Sequence, residues 1–215
     1  FFAISMTINM FITGGRAGHV IFFVMLAILI FQVLDKQRIK SLITIFIVIP
    51  SIFFTAYQTS NLFELRVDKA VHEASNYSEK RVSSVGLRLN FAINSWSVIK
   101  NNILIGVGTG DFPSEYFKIN KINSPNLPTT TNPHNMYTLI LMQLGLVGLF
   151  SMLSIFYYQI KISFNSSNKL IRDVGITLPI MFLVMMLSDS YLLGHYTTLM
   201  YVFFSSFLYK DFEKN

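Results

Sequence analysis

The chain has 215 residues, 52% of them hydrophobic and only 13% charged, with a formal net charge of +6 and a mean hydropathy of +0.50. A typical soluble domain carries about 25% charged residues, so the composition excludes an ordinary soluble fold and indicates an integral membrane protein. The absence of Cys excludes disulfides and thiolate chemistry.

The chain starts at Phe1, already inside an apolar run, and reads as the C-terminal part of a longer protein, one membrane domain over 1–215. Residues 1–12 look like the end of a helix, closed by the turn Thr13-Gly14-Gly15-Arg16-Ala17-Gly18. An apolar stretch, 19–34, is followed by a charged break at 35–40 and a second apolar stretch, 41–57. Residues 58–135 are a long polar region. The clearest span is 136–160, which carries no charge and exceeds the roughly 20 residues a bilayer needs. A second charged break occupies 161–173. Residues 174–209 are apolar except for Asp189 and His195. One helix there would be roughly 50 Å long, too long for a hydrocarbon core of about 30 Å, so a hairpin of two short helices turning near 188–196 is expected. The expected fold class is all-α: a polytopic transmembrane helix bundle with a large helical periplasmic loop.

Orientation follows from Lys and Arg in the short loops. One set of helix ends holds Lys36, Arg38, Lys40, Lys161, Lys169, Arg172, Lys210 and Lys214, whereas the opposite short turns hold only Arg16. The first set is therefore read as cytoplasmic. The Gly14–Gly18 turn, the segment 58–135 and the turn at 188–196 then lie outside. The basic charge signals topology and gives nucleic-acid binding no support.

Within the external region, Val85, Leu89, Ala92, Trp96 and Ile99 recur at helical spacing. They mark one face of an amphipathic helix at the membrane surface. The following Gly106-Val107-Gly108-Thr109-Gly110 lacks the Lys-Ser/Thr of a phosphate-binding loop and reads as a tight turn. Residues 123–133, with three prolines, read as an exposed connector, and His72 as solvated in a polar loop.

His134-Asn135, nine residues, Gly145, two residues and Gly148 resemble the signature of the bacterial O-antigen ligase and O-antigen polymerase superfamily, which includes protein O-oligosaccharyltransferases. Thr13–Gly18 resembles its arginine just outside a helix. Leu87-Arg88-Leu89, some way before Gly106-Val107-Gly108, resembles its arginine on a periplasmic helix. The resemblance covers roughly 5–155. It implies a multi-helix membrane fold with a large periplasmic segment, in the bacterial inner membrane. It further implies transfer of glycan from an undecaprenyl-pyrophosphate carrier to an acceptor hydroxyl, without metal or cofactor. The partners it implies are that donor, a glycan or lipid A–core acceptor and membrane lipid.

Pro133 and Asn135 shape a turn that ends a loop and starts a helix. His134 then sits at the water–membrane boundary, where a lipid-linked sugar would hold its reactive carbon. An unperturbed His titrates near 6.5 and can accept a proton there; the alternative is a His that only bonds the helix start. The resemblance favours the base. Asn135 and Asp189, the latter in the last external turn, are its possible supports. Gly145 and Gly148 are expected to let another helix pack closely. Arg16 and Arg88 offer forked donors suited to pyrophosphate; the alternatives are a snorkelling cation at Arg16 and an ordinary surface cation at Arg88.

The outside shows no Asp-x-Asp or His-x-x-x-His pair, and Pro113 separates Asp111 from Glu115. Clustered carboxylates for a divalent ion are therefore not expected. A transporter or flippase of lipid-linked sugar, the alternative of a different class, should carry ionisable groups or broken helices near the bilayer midplane. The apolar stretches carry almost no ionisable groups, and the polar residues gather at one surface, which favours an enzyme.

Overall fold

The computed structural model describes residues 2–12, 15–76 and 79–210, excluding the side chains of residues 2–4, 6 and 16. Thr13 and Gly14 of the first turn, and Lys214 of the charge asymmetry, lie outside the described residues. All regular elements among the described residues are helical. They form two compact units, residues 1–76 and 77–215.

The first unit comprises α1 (Phe2–Ile12), α2 (Arg16–Val33), α3 (Arg38–Thr59) and α4 (Asn61–Ser75). Its centre is an aromatic cluster. Phe63 meets Phe11 and Phe53 edge-on, and His19 stacks on Phe11 while its Nε2 lies 2.9 Å from the Met10 carbonyl oxygen. His19 thus ties the first turn of α2 to the end of α1. The charged break folds against Ser41, whose fully buried hydroxyl donates to the Leu34 and Gln37 carbonyls. Ser60 caps α4 by accepting from the Phe63 N–H at 3.3 Å. The expectation that His72 sits in a polar loop is corrected here. α3 runs on to Thr59 and α4 follows at once, with His72 exposed on that helix.

The second unit comprises α5 (Ser84–Ile99), α6 (Phe112–Asn123), α7 (Met136–Phe164), α8 (Lys169–Met185), a 3-10 turn at Tyr191–Leu193 and α9 (His195–Leu208). The hairpin expected over 174–209 is present as α8 and α9, although α8 begins inside the charged break, where Asn168 caps it. α3 and α7 are long and apolar enough to cross a membrane, and Ala17–Val33 is a shorter apolar helix. Pro113 does not separate Asp111 from Glu115 as expected. It sits in the first turn of α6, where its missing N–H costs no helix bond.

α5 buries a largely polar face. Gly86, Asn90, Phe91, Asn94, Ser95, Val98 and Ile99 are buried, while Leu89, Ala92 and Trp96 of the apolar stripe face outward. The inward amides are satisfied. Asn94 Nδ2 donates to Asn120 Oδ1 at 3.1 Å, and the Ser124 hydroxyl donates to Asn90 Oδ1 at 2.8 Å. This buried polar set fastens α5 to α6 and the start of the connector.

α7 is not continuous. Gly145 has φ 63° and ψ −159°, a region open essentially to glycine alone. The break forfeits the usual i→i−4 bonds of Leu146 and Val147, and the segment after α5 replaces them. The Val107 and Gly108 N–H groups donate to the Met142 and Gln143 carbonyls at 2.9 and 3.0 Å. In return, the Leu146 and Val147 N–H groups donate to the Ile103 and Leu104 carbonyls at 2.8 and 3.2 Å. A Cβ on Gly145 would collide with the Leu104 backbone, and one on Gly106 with the Gln143 backbone. The expectation that Gly145 and Gly148 receive a second helix is thereby corrected: Gly145 receives a non-helical turn segment, residues 103–108, with the Gly106-Val107-Gly108 turn as its counterpart.

Candidate functional site

The site forms where the connector enters α7. Asn135 is the N-cap, with extended backbone, and its Oδ1 accepts from the Thr138 N–H at 2.9 Å. The same side chain donates through Nδ2 to the Leu187 carbonyl at 3.0 Å. The Met136 N–H donates to the Met186 carbonyl at 2.9 Å, and the Tyr137 hydroxyl donates to the Leu183 carbonyl at 2.6 Å. Three consecutive residues thus sew the head of α7 to the end of α8. Asn135→Ala removes the cap and the Leu187 bond together. It is expected to cost about 0.5–2 kcal/mol from the cap alone, measured by thermal unfolding in detergent. Asn135→Asp, which keeps the accepting oxygen, should recover most of that.

His134 precedes this cap in a left-handed conformation, φ 53°, unlike every other described non-glycine residue. Asn132 holds it there. Asn132 Oδ1 accepts from the His134 N–H at 2.9 Å and from the Ser190 hydroxyl at 2.8 Å. Backbone strain of this kind, of order 1–3 kcal/mol, persists only where the surroundings impose it, and it clusters at functional sites.

The imidazole is fixed on two sides. Its Nδ1 lies 3.2 Å from Asp189 Oδ1. A carboxylate oxygen can only accept, so the proton sits on Nδ1 and Nε2 of the neutral ring keeps its lone pair. The same Asp189 oxygen accepts from the Ser190 N–H at 2.7 Å and from Asn132 Nδ2 at 3.4 Å. The Phe91 ring of α5 stacks on the imidazole, with centroids 6.1 Å apart. The His134 and Asp189 side chains are 39% and 37% exposed, so the pair is held from behind and open in front. Among the described residues nothing bonds to His134 Nε2. The arrangement can orient an imidazole, accept a proton at Nε2 and stabilise the resulting cation through Asp189.

Of the residues singled out in the sequence, the structure brings His134, Asn135 and Asp189 together. Arg88 is exposed on α5. It stands three residues before Phe91, so the two are surface neighbours on that helix. Its guanidinium makes no hydrogen bond or ion pair with a described residue. Arg16 opens α2 in the first unit, and its side chain lies outside the described residues. Asn132, Ser190 and Phe91 were not foreseen. The one available signal was Asn132 directly before Pro133, where a side-chain-bonded turn is favoured. Ser190 and Phe91 reach the site only through tertiary packing.

The sequence model described as O-antigen ligase matches residues 1–153, a stretch that includes Arg16, Arg88, His134 and Asn135 and ends before Asp189. No curated protein matches the chain.

Proposed function

From the premise that this chain belongs to the O-antigen ligase family, we propose that it transfers an oligosaccharide or polysaccharide from undecaprenyl pyrophosphate to an acceptor hydroxyl, on the external face of a bacterial cytoplasmic membrane. The observation that carries this reading is the His134–Asp189 pair, in a strained turn at the head of a helix able to cross a membrane. His134 Nε2 takes the proton of the acceptor hydroxyl. The oxygen attacks the anomeric carbon from the side opposite the pyrophosphate and forms the new glycosidic bond. The old bond breaks with its electron pair on the pyrophosphate oxygen, and the configuration inverts. Asp189 holds the imidazole in the productive tautomer and balances its positive charge. Arg88 neutralises the departing pyrophosphate in place of a metal ion. Arg16 is proposed for the same donor role from the sequence pattern alone.

Replacing Arg88 or Arg16 by Lys keeps the charge but loses the forked donor pair. A lost charge-assisted bond costs about 1.5–3 kcal/mol, so each variant is expected to transfer glycan roughly 10- to 150-fold more slowly in proteoliposomes supplied with undecaprenyl-pyrophosphate-linked glycan. Parental rates in both would remove the arginines from the donor site. The lipopolysaccharide profile of a deletion strain separates the acceptors. Loss of all O-antigen indicates transfer to lipid A–core, and core bearing a single repeat indicates chain polymerisation. An unchanged profile with loss of a glycosylated protein indicates a Ser or Thr acceptor.

A further inference from the structure

The segment that repairs the break in α7 carries an implication for the membrane itself. α7 has 29 residues, about 43 Å at 1.5 Å per residue, against a hydrocarbon core of about 30 Å. A straight helix of that length, centred with its surplus shared between the ends, would place Gly145 about 7 Å inside the core. Residues 103–108 bond to the backbone of 142–147, so they lie at that depth too. No charged residue occurs between Lys100 and Asp111. Ile103, Leu104 and Ile105 are 42%, 65% and 75% exposed, and nothing in their own unit covers them.

Non-helical backbone is tolerated within a bilayer only when its polar groups are satisfied by protein. The pairing with α7 meets that condition for the Val107 and Gly108 N–H groups and for the Ile103 and Leu104 carbonyls. Four bonds tie the segment to α7, the Gly106 N–H donates to the Asn102 carbonyl at 2.9 Å, and Asn102 Nδ2 donates to the Val98 carbonyl at 3.2 Å. Trp96, one turn above on α5, is 57% exposed, as suits a ring at the headgroup level. Ile93 and Leu89 continue the outward apolar surface along α5.

We propose that residues 103–108 form a re-entrant segment inserted into the half of the bilayer on the His134 side, with Ile103, Leu104 and Ile105 in contact with lipid chains. The partner of this exposed apolar surface is hydrocarbon. The inference rests on α7 crossing the membrane and is independent of the glycan-transfer chemistry.

Residues 1–215 contain no Cys, so single-cysteine probes need no background removal within them. Leu104→Cys, Ile105→Cys, Val147→Cys and Thr129→Cys in the full chain are each labelled with an environment-sensitive fluorophore in phosphatidylcholine–phosphatidylglycerol vesicles. Quenching by acyl-chain nitroxides is then compared with quenching by aqueous iodide. Val147 is an exposed residue on α7 at the same level, and Thr129 lies in the exposed connector. Probes at 104 and 105 are expected to follow the Val147 probe, quenched at least several-fold more by nitroxide than by iodide, while the Thr129 probe shows the reverse. If Val147 follows nitroxide but 104 and 105 follow iodide, the segment lies outside the bilayer and the proposal is wrong. If Val147 itself follows iodide, α7 does not cross there, and the membrane reading falls with it. Should either cysteine variant at 104 or 105 fail to insert, the other decides, and Trp96, the single tryptophan, gives a label-free check. Its emission should be quenched by nitroxides near the headgroups and shielded from iodide; free access to iodide counts against insertion.

Discussion

His134→Ala is expected to lower the turnover of glycan transfer about 10²- to 10⁴-fold, the usual loss when a general base is removed, with donor affinity largely retained because Arg88 is untouched. The size follows from the geometry. Asp189 accepts from Nδ1, which leaves Nε2 as the imidazole's free basic atom, with Asp189 itself the reserve base in the turn. His134→Gln is the sharper variant. Gln can fill the space against Phe91 and donate to Asp189, but it cannot take a proton at neutral pH. A Gln variant that inserts normally and transfers at the parental rate would reduce His134 to a structural residue. Asp189→Asn should fall between the parent and His134→Ala. It keeps a bonding partner for the ring and loses the charge that balances the imidazolium.

Gly145→Ala is expected to be the most damaging single change outside the site. The backbone there, φ 63° and ψ −159°, costs a side-chain-bearing residue about 1–3 kcal/mol. The added Cβ also meets the Leu104 carbonyl, so at least one bond of the 103–108 segment has to open. A buried polar group left unpaired costs a further 1–3 kcal/mol or so. Together the loss is about 2–6 kcal/mol, a large share of the 5–15 kcal/mol typical of a folded domain. Thermal unfolding in detergent measures it. Ser151→Ala, which alters an exposed position on the same helix, should stay within about 0.5 kcal/mol. Equal melting temperatures for the two variants would contradict the pairing across the break.

The sequence shows the long-period features well because they are dictated by solvent. The uncharged run from Met136 announces α7, and Pro133 with Asn135 announces its start to the residue. His134 was legible for the same reason, as a titratable side chain placed at that start. What the sequence conceals depends on contacts between distant residues. The apolar stripe on α5 marked a membrane-surface face but said nothing of the inward one, where Asn90 and Asn94 are buried against partners on α6 and in the connector that no local pattern reveals. Gly145 and Gly148, three residues apart, match the pattern of a helix-packing surface. Only the positive φ of Gly145 and its pairing with the segment after α5 expose a broken helix. Asp189 was visible as a lone acid in an apolar stretch, whereas the Asn132–Ser190 link that positions it spans 58 residues of sequence and leaves no periodic trace.

If α7 crosses the membrane as proposed above, the exchanged bonds at Gly145 also bear on biogenesis. A growing chain that has just delivered α7 to the membrane presents two carbonyls, Met142 and Gln143, and two amides, Leu146 and Val147, whose partners lie about 40 residues upstream in 103–108. Left unpaired in hydrocarbon, each group costs several kcal/mol. α7 therefore cannot settle as an autonomous span in the way a regular helix of its apolarity can. The earlier segment has to be translocated, held at the surface through synthesis of α6 and the connector, and then drawn down as α7 enters. Insertion of α7 and docking of 103–108 become a single cooperative event. A chain interrupted between them has an apolar segment exposed and a membrane helix not yet made, the species a quality-control protease would meet first.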